Sequence, residues 1–516
     1  MKKILSLLLT AIIVISSVCL FSVPASALET DGESSPMTVP QIRITTENGN
    51  GTTLQKADGY VNASIIITDT DGSQLSDSVQ FKVRGNSTAL ESITKKAYTF
   101  KFESKQNVLG MGKAKKWALL ANAFDPTLMR NYLAFELART MGLAYTSEQR
   151  FVELWVDDSF RGCYLLIEPI QEGKARVDID IESNNGMKDF LIERENSRRE
   201  SGVTYFLTDG IRFAVSEPEE PTSAQLAYIR STMNEIMTVV QSGDRDAISQ
   251  KIDIPSFVRY YLLNELYKTV DFDFSSVFFY YKDGVLYAGP AWDYDLAAGN
   301  LDPSISAKSL ASSQTEGLFA SSCHLYQYLA SFYWFIEEIQ TTYREYLDDI
   351  TALYAEGGMM DDLLVEYGAV FARNFKEAGW KITKKWVNLQ KRPESTFDAN
   401  VAFLRGWLKE RNEWLSDYYG VTPEPEPVTE PVTEPESELL QYILGDADGD
   451  GMITVYDATA IQRLLVDLHT DDDEGIALRG RITDKTLNIS DATVIQRYLV
   501  DLDDGYPIGE LRTVGA

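Results

Sequence analysis

The sequence predicts an α+β fold, strands first and helices last, in one large domain followed by a small helical module. Three observations predict it. Residues 38–84 and 98–102 are rich in β-formers, as in Ser64-Ile-Ile-Ile-Thr68, and alternate in places, as in Val79-Gln-Phe-Lys-Val83, the period of a half-buried strand. Residues 126–142 and 253–270 carry apolar residues at helical spacing. Each has a proline near its start, Pro126 and Pro255, where a missing N–H costs little. The stretch from 322 to 418 reads as mainly helical and rich in aromatic residues.

The chain opens with Lys2 and Lys3, an apolar run from Ile4 to Phe21, and Pro24-Ala25-Ser26-Ala27. This is the pattern of a secretory signal over residues 1–27, cut after Ala27. The run is short for a membrane span, and no later segment reaches that uninterrupted apolar length. The expected destination is secreted, extracellular or at the cell surface. The count of 48 basic against 77 acidic residues leaves a net charge of −29, a surface that repels nucleic acid and anionic membranes. Past the signal only Cys163 and Cys323 remain, expected as buried free thiols rather than a disulfide framework. The two histidines, His324 and His469, are too few for a multi-histidine zinc site.

The large domain is expected over residues 38–420. Residues 421–440 form the linker, where Pro and Glu alternate through Thr422-Pro-Glu-Pro-Glu-Pro427 and onward. Such a stretch stays extended and self-repelling and builds no core. Within the domain, Val277–Tyr281 and Val285–Tyr287 flank Asp283-Gly284 as a β-hairpin. Gly110-Met-Gly112 is expected as a turn.

The last module, 441–512, contains a repeat. Asp457-Ala-Thr-Ala-Ile-Gln-Arg-Leu-Leu-Val-Asp-Leu468 recurs from Asp491 to Leu502 with two changes, the mark of a unit that packs on its own copy. Asp446, Asp448, Asp450, Gly451, Thr454 and Asp457 occupy positions 1, 3, 5, 6, 9 and 12 of a calcium loop. The second loop has Gly480 and Ile482 at positions 1 and 3, leaving Asp484, Asn488 and Asp491 as ligands. It is expected to bind calcium weakly or to hold its shape without metal. The module resembles a type I dockerin. The resemblance implies a small all-α, calcium-folded unit of two EF-hand-like loop–helix repeats that binds a cohesin module of a scaffoldin, as in cellulosomes. A calcium-binding hairpin without a partner is the blander alternative.

A second ordered series runs through the large domain. It comprises Arg84-Gly-Asn-Ser87, Lys95-Lys-Ala-Tyr98, Phe100-Lys-Phe102, Lys115-Lys-Trp-Ala-Leu-Leu-Ala-Asn122, Met129-Arg-Asn-Tyr-Leu-Ala134, Phe151-Val-Glu-Leu154 and Gly289-Pro-Ala-Trp-Asp-Tyr-Asp-Leu-Ala297. In this order and spacing it resembles the spore-coat CotH kinase family over most of residues 40–415. The resemblance implies an atypical, two-lobed protein-kinase-like fold that moves the γ-phosphoryl group of ATP to protein hydroxyls. A full Gly-rich loop, His-Arg-Asp and Asp-Phe-Gly are all missing from the sequence.

Phosphoryl transfer needs carboxylates for Mg²⁺ or Mn²⁺, cations on the phosphates and a carboxylate to orient the attacking hydroxyl. Asp293 and Asp295 are the expected metal ligands, two residues apart and so on one face if the segment is a strand. Asp271 is the candidate catalytic carboxylate, with Asp273 beside it. Relatives carry Asn or His just after this acid, where this chain has Phe274-Ser-Ser276. Lys96 and Lys101, with Arg84 near them, are the expected phosphate cations, and Glu153 or Glu168 the partner of one lysine. Arg130 and Asn131 are expected to serve structure around a buried helix. Two alternatives stay open. One is a degenerate CotH-like module that binds a protein or fibre partner. The other is a carbohydrate-active enzyme using paired acids.

Overall fold

The computed structural model describes residues 38–421 and 441–513, apart from 182–187, 197–201, 450, 467, 469–471, 484–485, 501 and 503–504. The expected signal segment, nearly all of the linker and the candidate ligands Asp450 and Asp484 lie outside the described residues.

The strand-rich half is a closed barrel. Strands β1 (Gln41–Thr46), β2 (Val61–Thr68), β3 (Gln74–Arg84), β4 (Ala97–Asn107) and β5 (Lys113–Leu120) follow one another antiparallel. Helix α1 (Arg130–Thr140) then precedes the hairpin of β6 (Gln149–Val156) and β7 (Ser159–Ile167). The order is β1-β2-β3-β4-β5-β7-β6, and the ring closes where β1 runs parallel to β6, Gln41 opposite Glu153. Alternation along each strand sends Ile42, Ile65, Phe81, Phe100, Trp117 and Val152 into one buried core. Closure leaves no unpaired sheet edge. The turn expected at Gly110-Met-Gly112 joins β4 and β5, with Gly110 and Gly112 both at positive φ.

The second half has a five-stranded antiparallel sheet backed by helices. Its strands are β8 (Phe190–Arg194), β9 (Tyr205–Thr208) and β10 (Ile211–Glu217), and, after helices α2 (Ser223–Ser242) and α3 (Ile254–Tyr267), β11 (Val277–Lys282) and β12 (Val285–Ala288). The order is β12-β11-β8-β10-β9. The expected hairpin is β11–β12, and Asp283 and Gly284 both take positive φ, as the tightest hairpin turns require. Helices α4 (Tyr333–Glu345), α5 (Met359–Lys376) and α6 (Phe397–Tyr419) fill the helical last zone.

Helix α3 is the spine of this half. Asp253 caps it by accepting from Ser256 N, Pro255 sits in its first turn, and nearly every residue is buried. Glu265 of α3 and Arg411 of α6 form a fully buried ion pair at 2.8 Å. Glu265 also accepts from Phe319 N and Ala320 N. Helix α5 packs on β7 so closely that a Cβ on Gly162 would lie 2.4 Å from Asn374 Oδ1. Asn374 Oδ1 accepts from Cys163 N there. Cys163 and Cys323 are both buried free thiols, as the composition predicts. Among the described residues no helix is long and apolar enough to cross a membrane.

The C-terminal module has its own core. Helices α7 (Val455–Leu465), α8 (Asp473–Arg479) and α9 (Ile489–Tyr498) enclose Ala447, Ala458, Ile461, Ile476, Ala492 and Ile495. Ala458 and Ile461 are the same repeat positions as Ala492 and Ile495, so each copy buries the other's apolar face. The module departs from the all-α expectation. Strands β13 (Gln441–Ile443) and β14 (Leu511–Thr513) pair antiparallel and tie its two ends together. Two three-residue segments joined only by tertiary closure carry no periodicity that a sequence could display.

Candidate functional site

One cleft of about 270 Å³ gathers residues from both halves of the large domain. The barrel supplies Arg84 and the turn after it, the second sheet supplies Glu193, and the segments around Asp271 and Asp293 complete the lining.

Arg84 is the last residue of β3. Gly85 follows at φ +87, and a Cβ there would lie 2.1 Å from Thr88 Oγ1. The chain therefore doubles back as only glycine readily allows. The Arg84 guanidinium lies 5.2 Å over the Trp292 ring. Burial lowers its pKa, and the charge of Asp293 works against that shift.

Asp271 lies in a single 3₁₀ turn, Val270–Asp273, just past α3. Three residues per turn place positions two apart on different sides. Asp271 lines the cleft. Asp273 instead faces Arg194 at 3.8 Å and Lys308 at 3.5 Å and is not among the lining residues. The pairing of Asp273 with Asp271 in catalysis is therefore corrected.

Asp293 and Asp295 both line the cleft, but not from a strand. Pro290 has no N–H to continue the ladder beyond Ala288, and Asp293 takes φ +69. Helix α1 holds this irregular segment from below. Asn131 Oδ1 accepts from Tyr294 N at 2.7 Å. Arg130 donates through Nε to Ala297 O and through Nη2 to Ala298 O while Nη1 pairs with Asp125 at 2.5 Å. Asn300 Nδ2 donates to Asp295 O at 2.7 Å. The structural role expected of Arg130 and Asn131 is thus positioning of the acid-bearing loop.

Asp295 is 9% exposed. Burial above all, then the charges of Asp293, Asp125 and Asp271, hold its pKa well above the ordinary value of 3.8, with Arg130 opposing. A carboxyl raised in the folded state binds its proton more tightly there than in the unfolded chain. Its contribution therefore turns destabilising as pH rises above 3.8. Asp295→Asn is expected to stabilise the metal-free protein at pH 7 and to flatten this loss, read by urea denaturation between pH 5 and pH 8.

Two residues here escape sequence reading. Glu193 of β8 lines the cleft, and its Oε1 accepts from Ser276 N at 3.0 Å. Ser276 Oγ donates to Asp293 Oδ2 at 3.0 Å. The one signal available is an acid directly after the apolar run Phe190-Leu-Ile192.

The expected lysines do not reach the cleft. Lys96 is buried and donates to Ala89 O and Leu90 O at 3.2 and 2.6 Å, fastening the turn that follows Arg84. Lys101 faces Gln80 and Lys116 across β4 and is not a lining residue. Glu153 pairs with Arg373 of α5 at 2.7 Å, and Glu168 with Arg176 at 3.6 Å. Neither glutamate joins a lysine. A long-range partner on α5 claims Glu153, and one on the segment just after β7 claims Glu168. Arg84 is the one basic residue among the described lining residues.

In the C-terminal module Asp446, Asp448 and Asp457 bring oxygen atoms within 4.8 Å of one another, the one such group of three among the described residues. Thr454 caps α7 by accepting from Tyr456 N. In the second loop Asp491 accepts from Ile482 N, Thr483 N, Thr483 Oγ1 and Asn488 N. Asn488 Oδ1 in turn caps α9 at Ser490 N.

The family described as CotH kinase protein matches residues 81–415, more than half of the chain. The chain belongs to that family. The matched span begins within β3 just before Arg84 and ends in α6, so the CotH domain contains the whole cleft. Among curated proteins none matches the chain.

Proposed function

We propose that the CotH domain transfers the γ-phosphoryl group of ATP to serine or threonine hydroxyls of a protein, using a two-lobed kinase-like cleft. The single observation that carries this reading is the meeting of Asp271, Asp293, Asp295 and Glu193 with Arg84 in one cleft. Several acids against one cation suit a site completed by a divalent ion. Mg²⁺ or Mn²⁺ takes one or two protein carboxylates together with phosphate oxygens, and Asp293 and Asp295 fit that donor set. The bound ion would neutralise charge on the phosphates. Arg84 reaches phosphate oxygens from the barrel side. Asp271 accepts the proton of the attacking hydroxyl, and its place at the end of α3 fixes where that hydroxyl must lie.

Transfer of labelled γ-phosphate from ATP to added protein acceptors, with Mg²⁺ or Mn²⁺, tests the reading. Absence of transfer to any acceptor or to the protein itself overturns it. A second reading has its own support. The expected lysines are engaged elsewhere, which leaves Arg84 as the cleft's single basic lining residue and favours a partner-binding CotH domain without transfer. Nucleotide-dependent thermal stabilisation without transfer selects that reading. Release of reducing sugar from plant polysaccharides selects a carbohydrate-active enzyme over both.

The C-terminal module we read as a type I dockerin that anchors a secreted CotH domain to the cohesin of a scaffoldin, in a cellulosome-type assembly. The convergence of Asp446, Asp448 and Asp457 supports one calcium site. The four donors already spent on Asp491 support a second loop that keeps its shape without metal. Titration with calcium is expected to saturate near one ion per chain. EDTA is expected to lower helicity and abolish cohesin binding, because ion binding and folding are coupled in such loops. Cohesin binding that survives chelation sinks this assignment.

A further inference from the structure

We propose that Glu193 and Ser276 are positioning residues that aim the Asp293 carboxylate at the divalent cation. The inference rests on the phosphotransfer reading for its cation and goes beyond it in naming what holds the ligand. Asp293 sits in a segment with no regular structure, at φ +69. Neither a strand nor a helix sets the direction of its side chain. The Ser276 hydroxyl does so, donating to Asp293 Oδ2 at 3.0 Å. Ser276 is itself held at φ +62, a conformation that non-glycine residues rarely adopt. What keeps it there is Glu193, whose Oε1 accepts the Ser276 N–H at 3.0 Å. Glu193 stands on β8, the middle strand of the five-stranded sheet, paired on both sides. The relay therefore runs from sheet to turn to metal ligand through two hydrogen bonds.

The serine hydroxyl anchors Oδ2 of Asp293. Hydrogen-bonded supports of metal ligands characteristically change metal affinity by about 10–100-fold when removed. Glycine adopts the Ser276 backbone conformation without strain, so Ser276→Gly removes the hydroxyl and little else. Glu193→Gln keeps an acceptor for the Ser276 N–H while removing charge, and Glu193→Ala removes both.

The experiment is direct Mn²⁺ binding to the full chain by electron paramagnetic resonance, with calcium present in excess to occupy the C-terminal loop. Ser276→Gly and Glu193→Ala are expected to weaken Mn²⁺ affinity by about 10-fold or more, and Glu193→Gln by less than Glu193→Ala. Equal affinity in the natural protein, Ser276→Gly and Glu193→Ala overturns the proposal, as does absence of competable Mn²⁺ binding in the natural protein. Equal loss in Glu193→Gln and Glu193→Ala overturns it too, because charge rather than aim would then explain the effect. The γ-phosphate assay separates the two conclusions. Weakened Mn²⁺ binding without transfer in any form keeps the relay and ends the kinase reading. Transfer with unchanged Mn²⁺ binding does the reverse.

Discussion

Asp293→Ala and Asp271→Ala are each expected to lower γ-phosphate transfer by about 10³-fold or more, with the fold intact by circular dichroism. The two losses should differ in kind. Asp293 is a proposed ion ligand, so its removal should raise the Mg²⁺ concentration needed for half-maximal rate, and Mn²⁺ should rescue part of the activity. Asp271 faces the cleft from a different element and is proposed to hold the attacking hydroxyl. Its removal should leave Mg²⁺-dependent nucleotide binding nearly unchanged while abolishing the chemical step. Asp273→Ala is the control. It sits two residues from Asp271 but faces Arg194 and Lys308, and its replacement should cost less than tenfold. Steady-state kinetics with Mg²⁺ titration decides between these outcomes. Full activity in Asp271→Ala would remove that residue from the mechanism and point to Asp295 or Glu193 as the base.

How much of this site was readable depends on how local each feature is. The β11–β12 hairpin and its Asp283-Gly284 turn are written in neighbouring residues, and so are the cap and proline of α3. Asp271, Asp293 and Asp295 stand out because acids are costly in apolar surroundings, and the cleft does gather all three. The barrel was not readable, since its closing pair sets β1 beside β6 across more than a hundred residues. Lys96 failed for a related reason. A lysine on a strand looks the same whether it meets solvent, phosphate or a carbonyl, and here the carbonyls of Ala89 and Leu90 claim it. Glu153 is likewise claimed by Arg373, far along the chain, and Glu168 by Arg176 on the segment after β7. Glu193 is the instructive omission. It has no motif around it, and its role appears only when β8 is placed under Ser276.

A large stability effect is expected at Arg130, and it bears on how the acids are held. The Arg130–Asp125 pair has both side chains almost wholly buried, at 2% and 1% exposure. Asp125 also accepts from Thr127 N, Thr127 Oγ1 and Arg130 N, so its carboxyl group is fixed at the start of α1. Arg130→Ala strips that group of its partner and takes the Arg130 donors from the carbonyls of Ala297 and Ala298, of which Ala297 O keeps the Asn300 N–H. Removing one member of a buried pair costs about 3–5 kcal/mol, and the donor lost at the Ala298 carbonyl adds to it. Urea denaturation should show a loss of that size without a change in slope. The double variant Arg130→Met, Asp125→Leu should recover much of the stability, because an apolar pair of similar volume avoids the unpaired charge. It should not recover activity. The loop from Asp293 to Ala298 would still lack its anchors, and Asp125 and Arg130 would no longer contribute to the field that Asp295 feels. Stability restored with transfer still lost separates holding the fold from aiming the acids. Activity restored along with stability would show that Arg130 serves packing alone and that the loop keeps its shape through Asn131 and Asn300.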